Sequence, residues 1–260
     1  MKRVVTAVIL IPLVLGLIFW ASNRSVRLAL TFVALLCLSE FLKLAAHYGV
    51  ATMRLVAYLA GAWVVAWQAA PGAPFFLGVT LLLLTLAMRG GRELSSALPG
   101  AAATLLGIVY TAIPFRLAAD LHAASPHWLL YVLLINWIGD TAAYYAGRAL
   151  GRHKLAPRIS PAKTWEGAAA SLLVSVPLAT LYLTHYLPHS PSGTFVLALS
   201  VAANVAAQIG DLAESTLKRG AGVKDSGGLL PGHGGALDRL DGLLFSAPVV
   251  WLAVAWLAPR

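Results

Sequence analysis

Apolar residues run along this chain in long blocks, interrupted by short polar connections. The blocks fall at about 4–21, 26–46, 51–70, 73–88, 97–118, 127–147, 168–187, 193–210 and 243–258. Each is close to the ~20 residues that an α-helix needs to cross ~30 Å of hydrocarbon. The pattern predicts an all-α, polytopic membrane protein of about nine transmembrane helices. The fourth block is short and the fifth carries Pro99 and Pro114, which leaves eight as the alternative count. The first block follows Met1, Lys2 and Arg3 as a signal peptide would, but its unbroken length and lack of a small-residue cleavage site predict a retained helix.

Charge then orients the blocks. With 59% hydrophobic and 11% charged residues, a soluble globular domain is excluded. An N-terminus on the cytoplasmic side brings Lys2, Arg3, Lys43, Arg54, Arg89, Arg92, Arg148, Arg152, Lys154, Arg158, Lys163, Lys218, Arg219, Lys224 and Arg239 to that side, 15 of the 19 Lys and Arg. Only Arg24, Arg27, Arg116 and Arg260 fall outside. Such a bias predicts N-in, C-out topology, in keeping with a bacterial inner membrane and a cytoplasmic working face. The net charge of +9 therefore has a topological origin. It points to membrane lipids and nucleotide phosphates as partners, with no nucleic acid expected. Cys37 is the only cysteine, so disulfides within the chain and thiolate zinc sites are excluded.

Residues 1–125 are mainly apolar blocks with short connections and are expected to form scaffold and dimer surface. Glu40 and Lys43, three apart, are expected to pair on one helix face in a structural role. Residues 126–260 are expected to form the catalytic region, because two polar segments there share the cytoplasmic face.

The richer segment, residues 211–241, holds five of the ten Asp and Glu: Asp211, Glu214, Asp225, Asp238 and Asp241. Asp211 and Glu214 stand three apart at the end of one block, and Asp238 and Asp241 repeat that spacing at the start of the next. Residues three apart share a helix face, so two antiparallel helices can direct four carboxylates into one volume. Hard oxygen ligands suit magnesium, which also binds substrate phosphates. The competing reading is a set of interfacial charges paired with Lys218, Arg219 and Arg239. Between the acids runs GAGVKDSGGLLPGHGG, seven glycines in 16 residues. Its N–H groups can line an anion nest, and Lys218, Arg219, Lys224 and His233 can add charge or hydrogen bonds to phosphate. A glycine-rich loop alone is also what a plain flexible connection looks like.

The second segment begins after Asp140 and ends in SPAKTWEG at residues 160–167. Ser160, Lys163 and Thr164 supply donors suited to a triphosphate or a base. GxxxxGK[ST] spacing is absent, so a P-loop motor has no support. Trp165 reads as an interfacial anchor or as a platform for a nucleobase.

At these residues the chain resembles the phosphatidate cytidylyltransferase family, also called CDP-diacylglycerol synthases. The family signature is met by Ser215, Lys218, Arg219, Lys224, Asp225, His233, Gly234, Gly235, Asp238, Arg239 and Asp241. GDLAES and ISPAKTWEG also look like this family, and the resemblance covers about residues 136–245. GDTAAYYAGR departs from it at Ala142, where related proteins often have glycine. The resemblance implies transfer of the cytidylyl group of CTP to phosphatidic acid, giving CDP-diacylglycerol and pyrophosphate. It also implies magnesium, with potassium as a candidate second cation, and a homodimer. On this reading Asp211 and Asp238 are the principal metal ligands and Asp241 and Glu214 auxiliary ones. Lys218, Arg219, Lys224 and His233 hold phosphates, and Asp140, Ser160, Lys163 and Thr164 seat CTP. The alternative from another class is a cation-coupled transporter, which calls for acids at the bilayer midplane rather than at block ends on one side. A head-group transferase consuming CDP-diacylglycerol lacks its DGxxAR core here, and a non-enzymatic scaffold leaves the massed acids unexplained.

Overall fold

In the computed structural model every apolar block becomes helix, and residues 2–89, 93–187, 191–228 and 234–257 are described. The helices are α1 (Lys2–Trp20), α2 (Asn23–His47), α3 (Arg54–Ala66), α4 (Ala73–Arg89), α5 (Ala97–Gly107), α6 (Ile113–Ala124), α7 (Pro126–Leu150), α8 (Trp165–Tyr186), α9 (Gly193–Gly220) and α10 (Leu237–Leu257). Side-chain oxygens of Ser22, Ser125, Thr164 and Ser192 accept N–H groups at the starts of α2, α7, α8 and α9. They satisfy donors that have no carbonyl within the helix. Helices α5 and α6 are one rod, joined by a π-helical turn, Ile108–Ala112, just ahead of Pro114. Proline donates no N–H to the helix ladder, and the wider turn takes up the irregularity.

Among the described residues five helices are long and apolar enough to cross a membrane: Asn23–His47, Leu94–Ala124, Trp165–Tyr186, Gly193–Gly220 and Leu237–Leu257. Three shorter apolar helices, Leu10–Trp20, Arg54–Ala66 and Ala73–Met88, accompany them. Large side chains such as Leu28, Leu55, Leu173, Leu181 and Leu252 point outward and are more than 60% exposed. A surface this apolar is unstable in water and suits an integral membrane protein, whose helices satisfy their own backbone groups.

The block at 51–70 gives a shorter helix than its pattern predicts, because α3 stops at Ala66. Arginine explains the stop. Arg116 is 4% exposed and donates to the carbonyls of Val64, Trp67, Gln68 and Ala69 at 2.6–3.2 Å. Arg27 donates to Val65 O at 3.1 Å, and Asp120 accepts from both guanidinium groups, at 2.7 and 3.1 Å. The unpaired carbonyls at the end of α3 are thus collected by charge from α2 and α6.

The all-α expectation needs one correction. The basic segment after α7 forms an antiparallel hairpin, β1 (Lys154–Ala156) and β2 (Ser160–Thr164). Glu166, in the first turn of α8, accepts the His153 backbone N–H at 3.2 Å and meets its ring Nδ1 at 2.6 Å, closing the hairpin at its base. A short two-stranded piece between long helices has no apolar period to announce it.

Helix α7 packs along α8, and α9 along α10, while α10 also lies against α2, α6 and α7. One apolar cluster runs through both halves of the chain, from Leu38 and Leu42 in α2 to Leu244 and Val250 in α10. Within the α7–α10 group the contacts are partly polar. Asn204 Nδ2 donates to Ser171 and Ser175 Oγ at 2.9 and 2.8 Å, Asn136 Nδ2 donates to Ser246 Oγ at 2.9 Å, and Tyr131 Oη meets Ser200 Oγ at 2.8 Å. Each such bond contributes on the order of 0.6 kcal/mol between helices in lipid.

Replacing Arg116 with Met should lower stability by about 3 kcal/mol, because four carbonyls and one Asp120 oxygen lose their donor. Thermal unfolding in detergent measures this, and an unchanged midpoint would remove Arg116 from the account of the α3 terminus.

Candidate active site

Three helix crossings bring the acids together, and each crossing is made at a glycine next to an aspartate. A Cβ on Gly139 of α7 would lie 2.7 Å from Ser171 Oγ and 3.0 Å from Asn204 Nδ2. One on Gly210 of α9 would lie 2.5 Å from the Asp241 carbonyl oxygen, and one on Gly242 of α10 would strike the Asn136 side-chain oxygen. Backbones approach this closely only where no side chain intervenes. Asp140, Asp211 and Asp241 are the chain neighbours of these glycines, so the crossings that pack the bundle also set where its carboxylates lie.

The three aspartates line a cavity of about 1100 Å³, together with Asp225, Asp238, Lys163, Lys218 and Arg239. The hairpin contributes Leu155, Ala162, Lys163 and Thr164, and α7 contributes Tyr144, Tyr145 and Arg148. Deeper in the bundle, Ser171 and Gln208 extend the polar lining, and Gln208 Nε2 donates to Asn204 Oδ1 at 2.7 Å.

Cations offset the massed acids in two places. Lys163 Nζ reaches from the hairpin to Asp211 Oδ2 at 2.5 Å, with both side chains partly exposed. Lys218 Nζ lies between Glu214 Oε2 and Asp238 Oδ1, 2.5 Å from each. This second group is buried: the side chains of Lys218, Glu214 and Asp238 are 10%, 0% and 7% exposed. One ammonium between two carboxylates leaves a net negative charge, which would be costly here without further donors. Asp238 obtains them from the backbone, since its oxygens accept Ser226 N–H at 3.0 Å and Gly235 N–H at 2.7 Å. Glu214 Oε1 has no partner among the described residues.

Of the residues expected from sequence, Asp140, Lys163, Thr164, Asp211, Lys218, Asp238 and Asp241 line the cavity. Thr164 is also the N-cap of α8, its hydroxyl accepting Gly167 N–H at 3.2 Å. Ser160 sits at the start of β2, outside the lining, and Glu214 stands behind Lys218. Lys224 is exposed and does not line the cavity. Arg219 points to the hairpin instead, donating to Ile159 O at 3.2 Å and to Val223 O at 3.1 Å. His233 lies outside the described residues.

Sequence reasoning missed Gln208, Arg148, Tyr144 and Glu40. Gln208 carried a signal, being an amide in an apolar block one turn before Asp211. The expectation that Glu40 pairs with Lys43 is corrected: Glu40 is 3% exposed, and its carboxylate accepts from Ser226, Ala236 and Leu237. Trp165 is 61% exposed and stands outside the cavity lining.

Comparison with known proteins gives this geometry a context. A family model described as "Cytidylyltransferase family" matches residues 1–257. The chain is 34% identical over 276 residues to the phosphatidate cytidylyltransferase of Haemophilus influenzae, covering 95% of this chain and 96% of that protein. It is 42% identical over 152 residues to the phosphatidate cytidylyltransferase of Staphylococcus aureus strain COL, covering 58% of this chain and 57% of that one. With the protein of the same name from Staphylococcus haemolyticus it shares 40% identity over 152 residues, again 58% and 57% of the two chains. The match therefore spans little more than half the length of the staphylococcal relatives.

Proposed function

The chain belongs to the cytidylyltransferase family, and from that membership we propose that it transfers the cytidylyl group of CTP to phosphatidic acid, releasing pyrophosphate. The observation that carries this reading is the cavity, where five aspartates and two lysines line one space between the ends of apolar helices and the hairpin. Its volume of about 1100 Å³ is at the large end of the ~300–1,000 Å³ range of ordinary ligand sites. A phosphate oxygen of the lipid attacks the α-phosphorus of CTP, forming one P–O bond while the bond to the β-phosphate oxygen breaks. No general base is needed, because a phosphate monoester is already largely anionic at neutral pH.

The residues also fit a divalent cation. The donor set facing the cavity is carboxylate oxygen, which suits magnesium. Among the described residues no three His, Cys, Asp or Glu stand close enough to hold an ion alone. Substrate phosphates and water would complete the shell, as magnesium ordinarily requires. When bound, the ion would neutralise charge on the triphosphate and on departing pyrophosphate. We take Asp211 and Asp241 as its direct ligands ahead of Asp238, because Asp241 accepts one backbone N–H and Asp211 is held by the exchangeable Lys163 and a long Ser215 contact, whereas the Asp238 oxygens are held by buried Lys218 and two backbone N–H groups. Asp238 and Glu214 then act by holding Lys218. Lys163 is set to exchange its Asp211 partner for CTP phosphate, with Asp140 and Thr164 on the same cavity wall and Lys218 as a further phosphate contact, while for Ser160, Arg219, Lys224 and His233 a part in substrate binding rests on the family resemblance alone. Potassium as a second cation and association into a homodimer belong to the same reading and rest on the family resemblance.

The reading further has nine membrane crossings, N-in and C-out, in the inner membrane of a bacterium, with the cavity open to the cytoplasm. The sorting of 15 of the 19 cations supports it. Cysteines introduced at Lys163 and Lys224 should be modified by an impermeant reagent from the cytoplasmic side only. Labelling of either position from the periplasm would overturn this topology.

The reaction is tested in liposomes. Pyrophosphate should be released from CTP only when phosphatidic acid is present, and release without the lipid, or none with it, would contradict the assignment. In the same assay Lys163→Met should weaken apparent CTP binding by about 2 kcal/mol, roughly 30-fold, while magnesium binding persists. Unchanged KM and turnover would remove Lys163 from the CTP site.

A further inference from the structure

Glu40 belongs to α2, in the half of the chain expected to be scaffold, and sits beside buried Cys37, Phe41 and Leu44. An isolated carboxylate at this depth is costly, so what compensates it matters. Its Oε1 accepts Ala236 N–H at 3.0 Å, and its Oε2 accepts Leu237 N–H at 2.8 Å and the Ser226 hydroxyl at 3.1 Å. Ala236 and Leu237 open α10, where backbone N–H groups lack intrahelical acceptors and the helix dipole favours negative charge. One side chain from α2 thus caps the helix that carries Asp238 and Asp241.

The same carboxylate also governs the loop before α10. Ser226 stands at its near end and Gly235 at its far end, and the backbone N–H groups of both go to Asp238. Two carboxylates therefore tie the loop at its base, Glu40 from α2 and Asp238 from α10. The fit leaves no room for a side chain: a Cβ on Gly227 would lie 2.5 Å from Glu40 Oε1, and one on Gly235 would strike Glu40 Oε2 and Ser226 Oγ. Helix α2 grips the end of α9 as well, where Tyr48 Oη donates to Leu217 O at 2.7 Å. Lys218, one residue on, is the cation shared by Glu214 and Asp238.

We propose that Glu40 is a positioning residue for the reaction. It ties Ser226 to the start of α10 so that Asp238 and Lys218 keep their places on the cavity wall. The activity part of this inference rests on the cytidylyl-transfer reading, and the loop part stands on geometry alone. Glu40→Gln keeps the shape but leaves one carbonyl oxygen for three donors and turns an amide N–H toward a backbone N–H. The first measurement is amide hydrogen exchange on the purified protein with neither CTP nor lipid added. Exchange at Ser226, Ala236 and Leu237 should quicken by about tenfold or more, with α5 unchanged. The second is turnover in liposomes: kcat per folded molecule should fall by about tenfold or more, with KM for CTP within about threefold of wild type. Ser226→Ala removes only the hydroxyl donor, should change both readouts in the same direction by less, and decides the matter where Glu40→Gln does not fold. Wild-type exchange at the three amides would overturn the inference, as would a lowered melting temperature with unchanged kcat per folded molecule. A wild-type protein that releases no pyrophosphate sinks the cytidylyl-transfer reading instead, and the exchange data then decide whether Glu40 holds the loop.

Discussion

Helix α9 crosses α10 so closely at Gly210 that an added methyl group would meet the Asp241 carbonyl oxygen. That approach, repeated at Gly139 and Gly242, is the constraint on which the site depends. Lipid tails are as apolar as leucine, so there is little hydrophobic gain in pressing membrane helices together, and close crossings of small residues with a few polar bonds must do it. In this bundle the small residue at each crossing is followed or preceded by an aspartate. Packing and chemistry therefore share the same three places, and loosening a crossing moves an acid.

Holding those acids near one another demands compensation, and the chain supplies it at two depths. At the partly exposed wall, Lys163 comes from the hairpin to Asp211, a pair that solvent screens. Inside, Lys218 is shared by two carboxylates that water hardly reaches, and backbone N–H groups from the loop satisfy what the lysine cannot. The outer pair is suited to exchange partners and the inner group to stay fixed. Glu40 ties the fixed part to α2, so the N-terminal helices take part in the site's geometry as well as in its support.

Much of this was legible in the sequence. Nine apolar blocks announce nine rods among the described residues, once α5 and α6 are taken as one, because hydrophobic length is the strongest signal a membrane helix gives. The acids at block ends and Lys163 in its polar segment announce the cavity. What was not legible depends on partners far along the chain. Arg116 meets the end of α3 from about fifty residues away, and Glu40 meets Leu237 across almost two hundred, so local spacing pointed wrongly to Lys43. The hairpin lacks an apolar period, and the outward turn of Arg219 follows from how the hairpin folds back upon α9. One signal was present and unread: Gly139-Asp140, Gly210-Asp211 and Asp241-Gly242 are the three places where a crossing residue and an acid are adjacent.

The central claim is that Asp211 and Asp241, brought together by one helix crossing, act as a unit on a shared divalent cation. A double-mutant cycle with Asn at each position, read as turnover against magnesium concentration, tests it most directly. Groups that act together lose most of their effect when either is removed. The account predicts that Asp211→Asn and Asp241→Asn each abolish most turnover and that the double variant loses little more. Near-wild-type turnover in either single variant, or losses that simply multiply in the double, would contradict it.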